Sequence, residues 1–203
     1  MALFRFATDP PARPLIRTQN LIMRAPLAGD YSAWASLRME SRDFLTPWEP
    51  VWNEDDLTRT SFRLRVKRAA REIASDEAYS LFILDSHSET LLGGLTIGLV
   101  RRGVAQACTL GYWMGQRHAG KGHMTEAVRG ALDFAFSELA LHRVEAACLP
   151  NNEPSRRLLE RVGFTREGEA RGYLRINGVW ADHLLYGMLA SEPRLPSATG
   201  RKL

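Results

Sequence analysis

A glycine-rich segment carries the clearest chemical signal in the sequence. Residues 116–124 read QRHAGKGHM; they follow a strand-like run that ends at Met114 and precede a helix that begins near Gly122. A helix N-terminus presents free backbone N–H groups and the positive end of the helix dipole, which attract an anion. Gly120 and Gly122 allow close approaches that a side chain would block, and Lys121 adds positive charge. The pattern predicts a cradle for a phosphate or pyrophosphate group.

Other interpretations of these glycines compete with that prediction. Residues 115–122 spell G-x-x-x-x-G-K-G, but Gly122 stands where a Walker loop has the Ser or Thr that holds Mg²⁺. The dinucleotide pattern G-x-G-x-x-G fails because Thr125 occupies its third glycine position. A purely structural glycine turn stays open. Nucleotide hydrolysis is therefore disfavoured, and we expect the ligand to bind without Mg²⁺.

Hydrophobic periodicity predicts the elements that position this segment. Apolar residues over 124–139 recur at the i, i+3, i+4, i+7 spacing of a buried helix face. Pro154 and Gly163 bracket a shorter helix, and Asn177-Gly178 predicts a hairpin turn. In chain order, we expect strands over 15–24, 79–84, 91–100, 105–114, 143–149, 164–176 and 180–189, and helices over 30–40, 55–75, about 122–139 and after residue 152.

Hairpins mixed with helical crossovers predict an α/β (α+β) fold, in which helices flank a mixed, largely antiparallel sheet. The chain has 203 residues, of which 45% are hydrophobic and 25% charged, as is typical of globular proteins. We expect a single domain over 1–190. The polar, proline-containing tail over 191–203 and the residues before Leu15 are expected to be frayed.

Composition also limits location and partners. The net charge of +4, from 27 basic and 23 acidic residues, is compatible with an acidic ligand or RNA and proves neither. No apolar run approaches the ~20 residues of a membrane helix, and residues 1–14 lack a signal-peptide core, so we expect a cytoplasmic protein. Cys108 and Cys148 lie in apolar runs and are expected to be buried free thiols. There is no HExxH motif or Cys/His cluster, so no metal is expected.

Short patterns along the chain resemble the GNAT family of acyl-CoA-dependent N-acetyltransferases. LGYWM at 110–114 resembles the family's bulged strand, and R-x-x-G-x-G at 117–122 resembles its pyrophosphate loop. N-x-x-S at 152–155 resembles the later coenzyme-contacting motif, and RVGF at 161–164 resembles the closing signature. The resemblance covers 15–189 and implies acetyl-CoA as co-substrate. The coenzyme-binding residues that it implies are Tyr112, Trp113, Met114, Arg117, His118, Ala119, Gly120, Lys121, Gly122, His123, Asn152 and Ser155.

Longer segments narrow the resemblance to the RimJ branch, whose members are ribosomal-protein-alanine N-acetyltransferases. FLTPWEP at 44–50 and GYLRINGVWADHLL at 172–185 distinguish this branch better than the glycine loop does, and 110–127 and 142–155 are also similar. The branch implies that the acceptor is the N-terminal α-amine of a ribosomal protein that begins with alanine. An acetyltransferase for a small-molecule amine and a non-catalytic acyl-CoA- or ribosome-binding module remain as alternatives.

The resemblance also implies what the site must do when an amine attacks a thioester carbonyl. A backbone N–H of the bulged strand, from Met114 or Trp113, would stabilise the oxyanion; such a donor is worth ~3 kcal/mol. The glutamate base and tyrosine acid of many family members are replaced here by Thr109 and Leu159. Ser155 is the expected replacement acid, and a role in capping or lining its helix is the alternative.

Glu49 is the expected replacement base. It lies in the branch-specific FLTPWEP segment between Trp48 and Pro50, a stiff and partly apolar setting that can hold a carboxylate near the amine. A rim residue that anchors the positive charge of the amine, or a helix cap, is the alternative. Glu49, Ser155 and the backbone of Met114 are thus the expected catalytic groups.

The remaining candidates carry weaker signals. His87 lies in a polar turn, His118 and His123 flank the glycine loop, and His142 and His183 are interpreted as structural histidines. Arg59, Arg63, Lys67 and Arg71 line one side of the predicted helix over 55–75. That side is most simply a solvated face, and a weak contact with the ribosome or its RNA is the alternative.

Overall fold

The computed structural model describes residues 15–193, which form one eight-stranded sheet with helices on both faces. The strands are β1 (Ile16–Arg17), β2 (Leu21–Arg24), β3 (Tyr79–Asp85), β4 (Leu91–Arg101), β5 (Ala107–Met114), β6 (Arg143–Cys148), β7 (Thr165–Ile176) and β8 (Val179–Leu189). The helices are α1 (Tyr31–Glu40), α2 (Arg42–Leu45), α3 (Arg59–Ala74), α4 (His123–Asp133) and α5 (Glu153–Val162). Short 3₁₀ turns lie at Ala28–Asp30, Thr46–Trp48 and Gln116–His118, and a π-helical turn at Phe134–Glu138 follows α4.

The sheet is antiparallel except at one place. Its strand order is β1-β2-β3-β4-β5-β6-β8-β7, and only the β5–β6 pair is parallel within the described residues. Because parallel neighbours need a crossover connection, the chain returns from β5 to β6 through α4. The predicted α/β fold with a mixed, largely antiparallel sheet is confirmed.

Separate hydrophobic clusters cover the two faces of the sheet. α4 and α5 pack on one face through side chains such as Val128 and Leu159. α1 and α3 pack on the other face through Trp34 and Phe62, whose ring centroids lie 4.8 Å apart. Full burial of a side chain of this kind contributes roughly 1.5–3 kcal/mol to stability. The two helix pairs therefore stabilise the sheet from both sides.

The start of the described chain departs from the predicted strand over 15–24. The Thr18 hydroxyl accepts from the Leu21 N–H at 3.1 Å and donates to the Glu126 carboxylate at 2.6 Å. The same carboxylate accepts from the backbone N–H of Asn20 at 2.8 Å. These polar contacts with α4 stabilise a turn, so the segment forms the two short strands β1 and β2 instead of one.

Turn and cap residues act as predicted at other boundaries. Asn177 and Gly178 have φ of 44° and 81°, which is the type I′ geometry of a tight hairpin. Gly163 ends α5 with φ of 105°. α3 begins later than predicted, because the Thr58 side chain accepts from the Ser61 N–H at 3.2 Å and so caps the helix there.

Some expectations fall outside the part of the chain that the structure describes. The predictions for residues 1–14 and for the tail from 194 onward lie there. Within 15–193, no helix has the length and apolar character to cross a membrane, and no group of three or more metal-ligating side chains occurs. Cys108 and Cys148 are buried and unpaired, as predicted. The basic residues on one side of α3 are exposed; they are Arg59, Arg63, Lys67 and Arg71.

Candidate active site

An opening between β5 and β6 interrupts the sheet. The two strands pair from Ala107–Arg143 to Leu110–Ala146 and then separate, while β5 continues to Met114. A cavity of about 560 Å³ occupies the opening. The end of β5, the first turns of α4 and α5, the segment that contains Glu49 and parts of β7 and β8 line it. Residues from distant parts of the sequence thus meet at one place.

The strand register determines the direction of the peptide groups along the open edge of β5. The Gly115 N–H donates to the Leu92 carbonyl of β4 at 2.9 Å. On the other side of the strand, the Gln106 carbonyl accepts from the N–H of His142, the residue before β6, at 2.7 Å. Because this direction alternates along a strand, the N–H groups of Tyr112 and Met114 face the opening, whereas that of Trp113 faces β4. Met114, rather than Trp113, therefore offers a backbone donor to the cavity.

The same register assigns side chains to the two faces. Leu110, Ala146 and Tyr186 are paired neighbours on β5, β6 and β8, so even-numbered side chains of these strands point toward α4 and α5. Odd-numbered side chains point the other way: Trp113 packs against the α1 and α3 cluster, and alternation along β8 places His183 on the same face of the sheet. Members of both sets line the cavity, which therefore connects the two faces of the sheet.

The glycine loop directs the first turn of α4 at the cavity. Gly120 and Gly122 have φ of 74° and 85°, in the left-handed region that favours glycine. The first intrahelical bond runs from the Glu126 N–H to the Gly122 carbonyl at 3.1 Å, so the N–H groups before Glu126 have no acceptor within the helix. The loop residues that line the cavity are His118, Ala119, Gly120, Lys121, Gly122 and His123. This geometry fits a phosphate or pyrophosphate group.

Arg117 does not join the other loop residues at the cavity. Its guanidinium pairs with Glu40 at 2.9 Å, and its Nε donates to His118 Nε2 at 3.1 Å. In this structure the side chain is directed toward the end of α1 and does not line the cavity, and the pyrophosphate contact of Arg117 stays a prediction. Burial, followed by the positive charge of Arg117, lowers the pKa of His118, which favours a neutral ring beside the loop.

The start of α5 brings Ser155 to Tyr112. Asn152 caps the helix, because its Oδ1 accepts from the Ser155 N–H at 3.2 Å, and so the Ser155 hydroxyl is not the cap. Ser155 Oγ lies 2.8 Å from the Tyr112 hydroxyl, and the three side chains line the cavity. Burial raises the pKa of Tyr112, so the phenol stays protonated. The two hydroxyl groups are 43 residues apart in the sequence, so no sequence pattern predicts that they are paired.

The two departures from the family pattern lie away from the cavity. The Thr109 hydroxyl donates to the Gly98 carbonyl at 3.2 Å, and the Leu159 side chain is buried in the core under α5. Neither residue lines the cavity. Groups for acid–base work must therefore come from other positions or from water.

Glu49 lies at the cavity within a cluster of basic and aromatic side chains. Its oxygens accept from the Arg38 guanidinium at 2.7 and 2.6 Å, and Oε2 also accepts from Trp52 Nε1–H at 2.9 Å. The Arg38 guanidinium stacks on Trp52 and Trp113, 4.1 and 4.8 Å from the ring centroids. A carboxylate offers about four acceptor positions, so one position on Oε1 is left for a ligand. The carboxylate is near the opening, but in an ion pair that the sequence does not reveal.

His183 also lines the cavity, which its interpretation as a structural histidine does not anticipate. The residue is 3% exposed, and its Nδ1 lies 2.9 Å from the Ala181 carbonyl oxygen. The sequence signal for its position is that it lies in the branch-specific segment over 172–185, next to the buried Leu184 on β8. Period-two reasoning along β8 would place it on the face opposite Leu184.

Comparison with known proteins identifies the family. The acetyltransferase (GNAT) domain model matches residues 20–165. Across 86% of this chain and 97% of the relative, the sequence is 35% identical to a Bacillus subtilis (strain 168) protein named probable N-acetyltransferase YjcK. It is 34% identical to the ribosomal protein uS5-alanine N-acetyltransferase of Escherichia coli (strain K12), across 94% of this chain and 97% of that enzyme.

A solved structure agrees with the sequence relatives. Mycobacterium smegmatis RimJ in complex with CoA-disulfide superposes with a TM-score of 0.82 at 32% identity, covering 88% of this chain and 86% of that one. The resemblance to the RimJ branch that the motifs indicate is thus confirmed across nearly the whole chain. The protein belongs to the GNAT acetyltransferase family, as an acetyl-CoA-dependent N-acetyltransferase related to the ribosomal-protein N-acetyltransferases.

Proposed function

We propose that this protein acetylates the N-terminal α-amine of a ribosomal protein that begins with alanine. The observation that carries the proposal is the 34% identity along 97% of the ribosomal protein uS5-alanine N-acetyltransferase of E. coli. The cavity through the sheet supports it, because acetyl-CoA and a peptide N-terminus can enter from opposite faces. The test is to incubate the protein with acetyl-CoA and an Ala-starting peptide, a Lys-containing peptide or polyamines, and to follow free thiol.

The proposed coenzyme site lies on the α4 and α5 side of the opening. Gly120, Lys121 and Gly122 hold the pyrophosphate through backbone N–H groups and the lysine charge, and no Mg²⁺ is needed. The open edge of β5 at Tyr112 and Met114 pairs with the amides of the pantetheine arm. The other proposed contacts are Trp113, His118, Ala119, His123, Asn152 and Ser155, which line the same cavity.

The proposed chemistry uses one backbone group and two hydroxyls. As the amine attacks, the Met114 N–H donates to the carbonyl oxygen, where negative charge develops; such a donor is worth ~3 kcal/mol. Ser155, next to the protonated Tyr112 hydroxyl, supplies a proton to the leaving thiolate. The acceptor amine approaches from the face of Trp113, opposite these hydroxyls.

Ser155→Ala is expected to lower kcat about tenfold without changing the Kd of acetyl-CoA. The loss is smaller than the ~10²–10⁴-fold typical of a positioned acid, because the Tyr112 hydroxyl remains beside the sulfur. Combining Ser155→Ala with Tyr112→Phe should lower kcat further, measured as steady-state thiol release. A double variant within about twofold of the wild-type kcat would remove both hydroxyls from the mechanism.

Glu49 acts on the acceptor in this proposal. Three hydrogen bonds from Arg38 and Trp52 occupy the carboxylate, and the free Oε1 position can accept one N–H from the acceptor's amino group. Its ion pair supports an anchoring role more than the general-base role that the sequence predicts, because the carboxylate is already committed to a cation. The amine is then held at the opening by charge and by one hydrogen bond.

Glu49→Gln is expected to raise the peptide KM about tenfold while kcat stays within about threefold, since the anchor is weakened and the chemistry is not. It should also lower the free energy of unfolding by about 2 kcal/mol, because the mostly buried Arg38 loses its ion-pair partner. Glu54→Gln, at an exposed carboxylate of the same loop, is the matched control and should change neither quantity. A kcat loss of ~10²–10⁴-fold would instead show that Glu49 is the base.

A weak ribosome contact completes the proposal. The exposed side of α3 carries Arg59, Arg63, Lys67 and Arg71, and this charge can meet phosphates of ribosomal RNA. Reversing two of these charges should weaken ribosome association at low salt, measured by co-sedimentation, and leave turnover of a free peptide unchanged. Association that is insensitive to both salt and charge reversal would contradict an RNA contact.

A further inference from the structure

The His183 ring is held in one tautomer at the edge of the cavity. Its Nδ1 lies 2.9 Å from the Ala181 carbonyl oxygen, and since a carbonyl can only accept, the proton of the neutral ring is on Nδ1. The Tyr173 ring meets the imidazole edge-on at a centroid distance of 5.7 Å and limits its rotation. The free lone pair is therefore on Nε2, the nitrogen that can accept a proton.

Nε2 of His183 is available to a ligand. Among the described residues, Nε2 has no hydrogen-bond partner. It is also absent from the buried, unpartnered nitrogen atoms, which are Arg129 Nε and Arg156 Nε, so it keeps some accessible surface. The residue is 3% exposed yet lines the cavity, so this nitrogen is reached through the opening and not from the outer surface. A buried imidazole with a free ring nitrogen in the lining of a cavity is an arrangement typical of acid–base catalysis.

The strand register places His183 on the side from which the amine must come. Ser155 and Tyr112 lie on the α5 face of the opening, where the leaving sulfur is released, whereas His183 shares the opposite face with Trp113. The Met114 N–H faces the gap between them. With this arrangement, the amine enters from the face of His183, which can act as a base. The thiolate leaves toward the face of Ser155, which can act as an acid.

Other titratable groups near this face are less suited to take the proton. The Asp182 carboxylate is exposed and accepts from the Gly172 N–H at 2.7 Å. Glu49 is in an ion pair with Arg38, and its one remaining acceptor position is the one proposed to anchor the amine. His183 Nε2 is thus the nitrogen acceptor left free on the acceptor side of the described cavity.

We infer that His183 is the catalytic base that takes the proton from the attacking amine; this inference rests on the proposed acetyl transfer. The neutral amine nitrogen forms a bond to the thioester carbonyl carbon while the π pair moves to the oxygen, and Nε2 accepts the N–H proton. As the C=O bond re-forms, the C–S bond breaks, and the thiolate takes a proton from the Ser155 hydroxyl. Water returns a proton to Ser155 and removes one from His183, leaving the amide and free CoA.

His183→Asn tests the inference, because the asparagine amide can keep the bond to the Ala181 carbonyl but has no group at the Nε2 position. We expect kcat to fall about a hundredfold or more, within the ~10²–10⁴-fold range of a positioned base. The Kd of acetyl-CoA should stay within about twofold, and the thermal unfolding midpoint should show that the variant folds. His183→Gln places a non-basic amide near the Nε2 position, so its kcat should fall by a similar factor. This variant replaces His183→Asn in the experiment if the asparagine variant does not fold.

His142→Asn is the matched control, since His142 is exposed and does not line the cavity; it should keep the wild-type kcat. A kcat loss under about a hundredfold in a folded variant at His183, a rise in peptide KM alone, or an acetyl-CoA Kd that weakens as much as kcat falls would overturn the inference. The wild-type protein, assayed with the α-amine peptide, an N-blocked lysine peptide and polyamines, tests the proposed function separately. The ratio of variant kcat to wild-type kcat is measured with whichever amine reacts fastest. The role of His183 and the proposed function can therefore fail independently.

Discussion

Gly120→Asp is expected to weaken acetyl-CoA binding at least about a hundredfold while the protein stays folded. A Cβ at Gly120 would meet no protein atom within 4 Å, so the space beside it is open to a ligand. A carboxylate there would face the pyrophosphate, and like charges brought together cost several kcal/mol. The positive φ of 74° adds some strain, which Asp tolerates better than most residues do. Calorimetric titration with acetyl-CoA measures the loss.

Gly120→Asn separates charge from shape in this experiment. Asparagine has nearly the same size as aspartate and accepts the same backbone conformation, but it is neutral, so about a tenfold loss of affinity is expected. Chelation of Mg²⁺ should change none of these affinities, because the position of a Walker Ser or Thr is Gly122. Equal losses for the two variants would show that no anion lies at the loop. Tighter binding of ATP than of acetyl-CoA, and only with Mg²⁺, would reject the assignment altogether.

The parts of the fold that could be predicted from the sequence are mostly those that depend on local signals. The turn at Asn177-Gly178, the cap at Gly163 and the apolar stripe of α4 each act over a few residues, so their effects can be read along the chain. The errors occur where a distant group intervenes. Glu126 lies more than a hundred positions from Thr18 and Asn20, yet its carboxylate breaks the predicted first strand in two.

The same distinction applies to the site. The glycine loop could be located because its chemistry depends on backbone conformation within one short segment. Arg117 could not be assigned, because its direction depends on Glu40, a partner 77 positions away. The ion pair that occupies Glu49 depends on Arg38 on another element. Positions in the sequence thus indicate which residues approach the cavity, but partners across the fold decide what each side chain is free to do.

The site that results favours an acceptor that is easily deprotonated, and we expect a strong preference for α-amines over lysine side chains. Model-peptide pKa values are ~7.7–8.0 for an α-amine and ~10.4 for lysine. At pH 7.5, roughly a third of an α-amine is neutral, against about one part in a thousand of lysine. The side chains at the cavity that can accept a proton are an imidazole and an ion-paired carboxylate, and both of these classes of group are far weaker bases than a lysine amine.

Two versions of one peptide measure this preference directly. One has a free N-terminal alanine and an internal lysine, the other the same sequence with its N-terminus blocked, and mass spectrometry locates the acetyl group. If only the neutral amine reacts, the ratio of kcat/KM is about three-hundredfold at pH 7.5 and falls to about tenfold at pH 9.5, where lysine begins to lose its proton and the α-amine has already done so. The direction of this change is the decisive result, because raising the pH must increase kcat/KM of the lysine peptide more than that of the alanine peptide. Equal turnover of the two peptides at pH 7.5 would mean that the enzyme removes the proton of the ammonium form before attack, a step separate from the later transfer of an N–H proton to His183. An α-amine would then no longer be the preferred substrate class.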